Sequence, residues 1–213
     1  MERSEIAIII PSWNEAKTIG KVVRDVLDIA TPIVVNDCSK DATAFEAEAA
    51  GAVVVSHKVN KGYDGALNTG FAKAVESGFK YAITFDADGQ HDSKLLKEYI
   101  SRFESGMDLI LGVRPRPARF AEHLFAFYTN LRFGIKDPLC GMKGYRLSIY
   151  TARGWFDSYG SIGTELALWA IRRGYKTCQI PVPISLREDA PRFGMSAKAN
   201  WKIIKAIAKS FVR

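Results

Sequence analysis

Residues 81–91 read YAITFDADGQH, an apolar, β-branched run that ends in two carboxylates with one residue between them. Such a run, bounded by turn-forming residues, predicts a buried strand. Asp86 and Asp88 follow at its carboxyl end, and side chains two residues apart on an extended chain point to the same side. Both carboxylates could therefore bind one hard cation together with the amide oxygen of Gln90. A solvated turn is the alternative interpretation of an Asp-x-Asp triplet taken alone.

The same alternation of short apolar runs and helical segments continues on both sides of this stretch. Further β-branched runs occupy 6–10, 33–35, 53–55 and 109–111, and helical spacing is found at 18–29, 42–50, 66–77 and 93–105. Repeated βα units of this kind predict one α/β domain with a mostly parallel sheet flanked by helices. Ligands of such sheets bind at the carboxyl ends of the strands.

Polar residues follow the other predicted strands as well. Asp37 comes directly after the second run, where a carboxylate can accept hydrogen bonds from a nucleotide base or a ribose. Helix capping is the alternative for this segment, and it is the preferred interpretation of Asp41. The glycine-rich stretch at 60–70, NKGYDGALNTG, begins a helix and could let backbone amides approach a diphosphate, although most such stretches are only turns.

The composition fits one globular unit with an anionic partner. The chain has 213 residues, of which 47% are hydrophobic and 25% charged, and its net charge of +7 leaves nucleic acid, phosphorylated substrates and acidic lipid as candidate partners. The three cysteines show no CxxC spacing, so we expect neither a disulfide framework nor a thiolate metal site, and a reducing cytoplasm is the simplest environment. No apolar run approaches the length of a transmembrane helix.

The second half of the chain is organised differently. Residues 114–134, RPRPARFAEHLFAFYTNLRFG, begin basic and then become rich in aromatics, which predicts a loop followed by an amphipathic helix. A further helix is predicted around 164–173 and a strand at 176–182. The segment 197–213 combines an apolar stripe with lysines and predicts a basic amphipathic helix that could lie on lipid. Packing of each apolar stripe on the core is the alternative.

Five motifs together carry a resemblance that none carries alone. They are PSWNE (11–15), NDCSKDAT (36–43), NKGYDGALNTGF (60–71), FDADGQHD (85–92) and DPLCGMKGYR (137–146). In this order and spacing they resemble glycosyltransferase family 2, in the branch of dolichyl-phosphate mannose synthases and polyprenyl-phosphate glycosyltransferases. The resemblance implies a GT-A catalytic domain at 1–196, with an acceptor loop and amphipathic helix at 114–136, followed by the basic helix at 197–213.

The resemblance implies a reaction as well as a fold. A hexose-type sugar would move with inversion from a UDP- or GDP-sugar to a polyprenyl or dolichyl phosphate at the cytoplasmic face of a membrane. Mg²⁺ or Mn²⁺, held by Asp86, Asp88 and Gln90, would neutralise the charge on the leaving diphosphate. The acceptor implies peripheral membrane contact and is compatible with a membrane-protein partner. Nucleic-acid binding is not expected, because the basic residues are dispersed and form no known motif.

The donor site implied by the resemblance extends over several strand ends. Pro11, Trp13 and Glu15 would lie on the nucleoside, with Glu15 toward the ribose, and Asp37 would contact the base. The remaining expected donor contacts are Val35, Asp64, Ala87, Arg187 and Lys198. The segment that begins at Arg192 would fold over the diphosphate. Arg114 would open the acceptor loop, with Arg119 as a further cation.

Two acceptor hypotheses remain open. A lipid monophosphate, with a second pKa of about 6, is largely dianionic at neutral pH, so it needs no general base and relies on Arg114 and Arg192 for positioning. A saccharide hydroxyl needs a carboxylate to accept its proton, and Glu165 or Asp137 is then the catalytic candidate. Each of these carboxylates could instead be a helix-terminal or turn residue. A non-catalytic nucleotide-sugar binder is a third hypothesis, which the intact Asp-x-Asp triplet disfavours.

Overall fold

The computed structural model of the protein describes residues 1–115, 120–158, 160–161 and 163–183. The expectations for Arg119, Arg187, Arg192, Lys198 and the helix at 197–213 lie outside these residues.

Within the described residues, the strands form one seven-stranded sheet in the order β3-β2-β1-β4-β6-β5-β7. The strands are β1 Ile6–Ser12, β2 Thr31–Asn36, β3 Val53–Ser56, β4 Tyr81–Thr84, β5 Leu109–Val113, β6 Lys143–Arg146 and β7 Thr177–Pro181. Every pairing is parallel except the two made by β6, which runs antiparallel to β4 and to β5. The prediction of a mostly parallel α/β sheet is confirmed.

Helices cover both faces of this sheet. They are α1 Ile19–Leu27, α2 Thr43–Ala49, α3 Gly62–Glu76, α4 Leu95–Glu104, α5 Phe120–Phe133, α6 Leu147–Arg153 and α7 Glu165–Arg172. Alternate residues of β1 enter two different apolar clusters: Ile8 packs with residues of α1 and α4, whereas Ile9 packs with residues of α3 and α7. Both faces of the central strand are therefore buried, as is typical of parallel sheets.

The pattern in the sequence did not predict β6 and α6. The β6 segment, Lys-Gly-Tyr-Arg, has no β-branched residue and carries a glycine and two cations. Its strand geometry comes from its neighbours, since Gly144 pairs with Ile83 of β4 and with Ile110 of β5. Pairing with two flanking strands therefore overrides weak local propensity. This strand carries part of the fifth motif to the middle of the sheet.

Helix α5 lies at the periphery and has a mixed environment. Its residues Ala121 and Phe125 are buried, whereas Phe120 is 83% exposed, Phe127 69% and Leu131 79%. The predicted amphipathic helix is present, but several of its large apolar side chains face away from the core. Among the described residues, no helix combines the length and hydropathy needed to cross a bilayer.

Candidate active site

The carboxyl ends of β1, β2 and β4 meet at one edge of the sheet. The parallel register pairs Ser12 of β1 with Asn36 of β2, and Ile9 of β1 with Thr84 of β4. The polar segments that follow these strands therefore leave the sheet side by side. Trp13 lies at this edge with about half of its surface exposed. The expectation that the chemistry-bearing residues cluster at the strand ends agrees with this register.

The loop after β1 is fastened to the loop after β2. Asn14, with φ of 55°, accepts a hydrogen bond from the backbone N–H of Lys40 (2.8 Å) on its side-chain oxygen, and the N–H of Glu15 donates to Thr43 Oγ1 (2.8 Å). Asp41 accepts from the N–H of Ala16 (3.2 Å) and from that of Thr43 (3.0 Å). Asp41 therefore connects the loop after β1 to the start of α2, whose N-cap is the next residue, Ala42.

Asp37 is buried, and both of its carboxylate oxygens already bind protein groups. Oδ1 accepts from the N–H of Lys61 (2.8 Å) and lies 2.7 Å from Nδ1 of His57, while Oδ2 accepts from the N–H of Gly62 (2.8 Å). The carboxylate thus caps the amino terminus of α3, which explains why this helix begins at Gly62 and not at residue 66. Contact of Asp37 with a base stays a prediction.

Two further predicted donor contacts are core residues. Val35 is fully buried in β2, and its Cγ2 lies 3.3 Å from the position that a Cβ on Gly70 of α3 would occupy. Its side chain therefore packs against α3, and its backbone lies in a strand that pairs with β1 and with β3. Ala87, between the two aspartates, is also buried and packs in the α1/α4 cluster. Pro11 is half-buried at the end of β1.

Asp86 occupies the centre of this edge. Its Oδ1 lies 3.5 Å from the hydroxyl of Tyr63 and its Oδ2 lies 3.7 Å from Nε2 of His91, while about one third of the side chain is exposed. The carboxylate rests against the backbone of Gly141, where a Cβ would come within 2.2 Å of Oδ2. The glycine of the fifth motif therefore makes the space that the first aspartate of the fourth motif fills.

Asp88 and Gln90 form the turn that follows β4. The N–H of Gln90 donates to Asp88 Oδ1 (3.1 Å), across Gly89 with its φ of 73°. In the described part of the chain, no three His, Cys, Asp or Glu side chains converge as a metal cluster. Mg²⁺ commonly takes only one or two protein carboxylates and completes its shell with phosphate and water. A partly exposed aspartate with a second one two residues away fits that kind of site.

Asp64 joins α3 to the loop that precedes α7. Its Oδ1 accepts from the N–H of Gly163 at 2.6 Å, and Gly163 has a φ of 72°. The same loop is closed by Ser161 Oγ, which accepts from the N–H groups of Thr164 (3.1 Å) and Glu165 (2.8 Å). Asp64, a predicted donor contact, therefore ties α3 to the backbone of Gly163.

Glu165 is buried and committed to neighbouring groups. Its Oε1 accepts from Arg153 (2.7 Å) and from Nε1 of Trp155 (3.0 Å), and its Oε2 accepts from the N–H of Ser158 (2.6 Å). Burial acts to raise the pKa of Glu165, but these hydrogen bonds, that from Arg153 foremost, hold it below the ordinary value. The side chain thus fixes residues 153–158 against α7 as a charged carboxylate.

Arg114 lies between two buried carboxylates at the end of β5. Its Nε donates to Asp137 Oδ2 (2.7 Å), and its Nη2 donates to Asp137 Oδ1 (2.8 Å) and to Glu122 Oε2 (3.1 Å). Despite burial, which favours the neutral forms, the ion pair raises the pKa of Arg114 and lowers the pKa of Asp137. The guanidinium therefore ties β5 to α5 and to the fifth motif.

Several residues around the predicted site were not singled out from the sequence. Glu122 could have been recognised from the sequence, because it is a charged residue on the apolar face of a predicted amphipathic helix. Tyr63, His57 and Lys143 could not, since their contacts join segments far apart in the chain. Tyr63 contacts Asp86, 23 residues away, and Lys143 reaches the site only through the pairing of β6 with β4.

The fold and the site together define a class of enzyme, the α/β glycosyltransferases with a GT-A fold. The profile of Glycosyl transferase family 2 matches residues 7–149. The chain belongs to this family and is a glycosyltransferase, as the five motifs predicted.

Named relatives extend over nearly the whole chain. A dolichyl-phosphate hexose transferase from Haloferax volcanii is 26% identical over 222 residues, which cover 98% of this chain and 93% of that protein. A polyprenol monophosphomannose synthase from Mycolicibacterium smegmatis is 28% identical over 226 residues. The alignment covers 95% of this chain and 84% of that protein. Glucosyl-3-phosphoglycerate synthase from Mycobacterium tuberculosis, whose structure was solved with Mg²⁺ and uridine diphosphate, has the same fold, with a TM-score of 0.78. The two sequences are 18% identical, and the superposition covers 96% of this chain and 78% of that one.

Proposed function

We propose that this glycosyltransferase moves a sugar from a nucleotide-sugar donor to the phosphate of a polyprenyl-type lipid, with a divalent cation at Asp86 and Asp88. The names of the dolichyl-phosphate hexose transferase and the polyprenol monophosphomannose synthase, which both align with nearly all of this chain, support a lipid-phosphate acceptor.

The lowered pKa of the two candidate general bases is the observation that favours a phosphate acceptor over a sugar hydroxyl. A sugar hydroxyl must give its proton to a carboxylate, and efficient bases have a pKa near the working pH. Glu165 and Asp137, the two candidates, each lie 2.7 Å from a guanidinium nitrogen, and both have a lowered pKa. Such carboxylates are weak bases. A phosphate monoester brings its own anionic oxygen and avoids the requirement.

The donor would lie across the β1, β2 and β4 ends of the sheet. Asp86 and Asp88 would hold the cation, which supplies Lewis-acid stabilisation of the leaving diphosphate when bound. The Gly141 backbone lies against the Asp86 carboxylate, and Nε2 of His91 lies 3.7 Å from its Oδ2. Exposed Trp13 offers an aromatic face at the β1 end for the nucleoside.

The outer face of α5 supports contact with a membrane surface. Phe120, Leu124, Phe127 and Leu131 follow one another at intervals of four, three and four residues and are between 49% and 83% exposed. Residues at this spacing share one side of a helix. An apolar helical face of this kind can insert into the headgroup region of a bilayer, where a lipid-linked acceptor would be presented.

The test is a panel of UDP- and GDP-sugars incubated with and without polyprenyl phosphate, in the presence of Mg²⁺ or Mn²⁺, measuring released nucleoside diphosphate and glycolipid. We expect at least one donor to give glycolipid only when the lipid phosphate is present. Asp88→Asn should reduce this product by about 100-fold or more. Glycosylation of a saccharide hydroxyl without any lipid-linked product would refute the proposed acceptor.

Membrane contact is tested separately by flotation with anionic liposomes. Phe127→Ser combined with Leu131→Ser should reduce the fraction of protein that floats. Val59→Ser combined with Phe45→Ser, which removes two exposed apolar side chains elsewhere, is the matched control. Equal loss of flotation in both double variants would contradict the role of α5.

A further inference from the structure

Lys143, the first residue of β6, is a buried cation whose ammonium has no hydrogen-bonding or ion-pair partner among the described residues. The residue is 4% exposed, and its backbone N–H donates to Thr84 Oγ1 at 3.0 Å. Its Nζ, in contrast, makes no hydrogen bond or ion pair with any residue in the described part of the chain. Buried ammonium groups are normally paired, because removing the charge from water is costly. Burial accordingly lowers the pKa of Lys143.

The ammonium lies on the candidate active site. A Cβ placed on Gly163 would be 3.8 Å from Lys143 Nζ and 3.5 Å from Cε1 of Tyr63, whose hydroxyl lies 3.5 Å from Asp86 Oδ1. Lys143 and Asp86 therefore lie around the same tyrosine, close to Gly163, whose backbone N–H donates to Asp64 of α3. The residue is buried but not completely enclosed, since 4% of its surface is exposed.

The order of the strands assigns this cation to one side of the site. The segments expected to bind the nucleoside follow β1 and β2, whereas Lys143 begins β6, on the opposite side of β4. Arg114, at the end of β5, is on that same side, but it is engaged by Asp137 and Glu122. An anion that enters beyond Asp86 from the β6 side would therefore meet Lys143 as a cation that no protein carboxylate already holds within hydrogen-bonding distance.

We propose that Lys143 binds the phosphate of the acceptor and holds its nucleophilic oxygen beside the donor sugar, an inference that rests on the proposed function. The dianionic phosphate oxygen forms the new bond to the sugar C1 while the bond from C1 to the donor diphosphate breaks. The electron pair of the broken bond leaves with the nucleoside diphosphate. No proton moves in this step, and Lys143 remains an ammonium throughout. The residue thereby favours phosphate over neutral acceptors.

The test compares Lys143→Met and Lys143→Gln with Lys97→Met, a control that removes the same charge from an exposed position on α4. For the Lys143 variants, the KM for polyprenyl phosphate should rise, or kcat/KM fall, roughly 10- to 100-fold, the usual effect of losing a hydrogen bond to a charged group. Their Kd for the nucleotide-sugar should stay within about twofold of wild type. The control should match wild type in both quantities.

The Tm of the Lys143 variants distinguishes a role in acceptor binding from a role in stabilising the fold. Replacing an unpaired buried charge with an apolar side chain of similar length should keep or raise Tm, by roughly 2–4 °C for Lys143→Met. A structural lysine would give the opposite result. A clear fall in Tm with an unchanged acceptor KM would overturn the proposal. Weakened donor binding at unchanged acceptor KM would overturn it too, because the ammonium would then serve the diphosphate.

A binding arm separates this inference from the proposed function. Farnesyl phosphate should stabilise the wild-type protein and Lys97→Met against heat but should not stabilise the Lys143 variants, and farnesol should affect all of them equally. If no donor yields glycolipid, the proposed function fails, while this comparison still decides whether Lys143 binds a lipid phosphate. Equal stabilisation of wild type and Lys143→Met by farnesyl phosphate would refute the inference.

Discussion

Asp137→Asn tests how strongly the ion pair with Arg114 stabilises the contacts between β5 and the fifth motif. The substitution keeps the shape of the side chain but removes the charge that accepts two hydrogen bonds from the guanidinium, at 2.7 and 2.8 Å, and one from the Arg114 N–H at 3.0 Å. Removing one partner of a fully buried pair costs about 3–5 kcal/mol. Glu122 remains 3.1 Å from Nη2 and compensates in part, so we expect a loss of about 2–3 kcal/mol.

Urea unfolding at neutral pH measures this loss directly. Asp108→Asn is the matched control, because Asp108 pairs with Arg146 at 3.1 Å while that arginine is 41% exposed. Exposed pairs contribute at most about 1 kcal/mol. If Asp137→Asn lowered the free energy of unfolding by no more than Asp108→Asn, the reasoning from burial would be refuted.

We also expect Asp137→Asn to change how the free energy of unfolding depends on pH in the acidic range. The pKa of Asp137 is lowered in the folded protein, so its contribution is fully present above the ordinary aspartate pKa of about 3.9. It is lost as the pH falls below that value toward the lowered folded pKa. The stability difference between wild type and Asp137→Asn should therefore shrink in that window. A difference that stays constant down to the folded pKa would contradict the assignment.

Three further substitutions have distinct expected outcomes. Gly70→Ala would bring a Cβ within 2.3 Å of Ile9 Cγ2 in the core, and unfolding experiments should show a loss of about 1–3 kcal/mol. Gly141→Ala would meet the partly exposed Asp86 carboxylate, which can swing away, so stability should fall by less than about 1 kcal/mol while glycosyl transfer falls sharply. Glu165→Gln should lower the free energy of unfolding by about 1.5–3 kcal/mol, measured in urea, through weaker hydrogen bonds from its donors.

The architecture was predictable because buried parallel strands leave a strong local signal. The runs at 6–10 and 81–85 are continuous and apolar since both faces of β1 and β4 are covered. Polar residues directly after these runs then had to meet at one edge, whatever the details of the loops. The family resemblance added the reaction class, which no apolar pattern carries.

The roles of individual site residues depend on contacts that a linear sequence does not display. Asp37 looked equally suited to a ligand or to a helix cap, and its partners Lys61 and Gly62 lie 24 and 25 residues further along the chain. Asp64 was expected at the donor, and one residue that binds it, Gly163, is 99 positions away. Spacing along the sequence identifies polar residues near a site. Hydrogen bonds between residues distant in sequence determine which of them have a structural role there.

Three buried charged residues, Asp137, Glu165 and Lys143, differ in whether a residue of opposite charge pairs with them. Asp137 and Glu165 are each held by an arginine, so both carboxylates are stable as charged groups and neither is poised to accept a proton. Lys143, equally buried, has no such partner in the described residues. A protein selected only for stability would lose this charge, because an apolar residue of the same volume would be favoured. Under the proposed function, the anionic phosphate of the acceptor would give the reason to keep this charge, since it would complete the pairing of Lys143 only when the acceptor is bound.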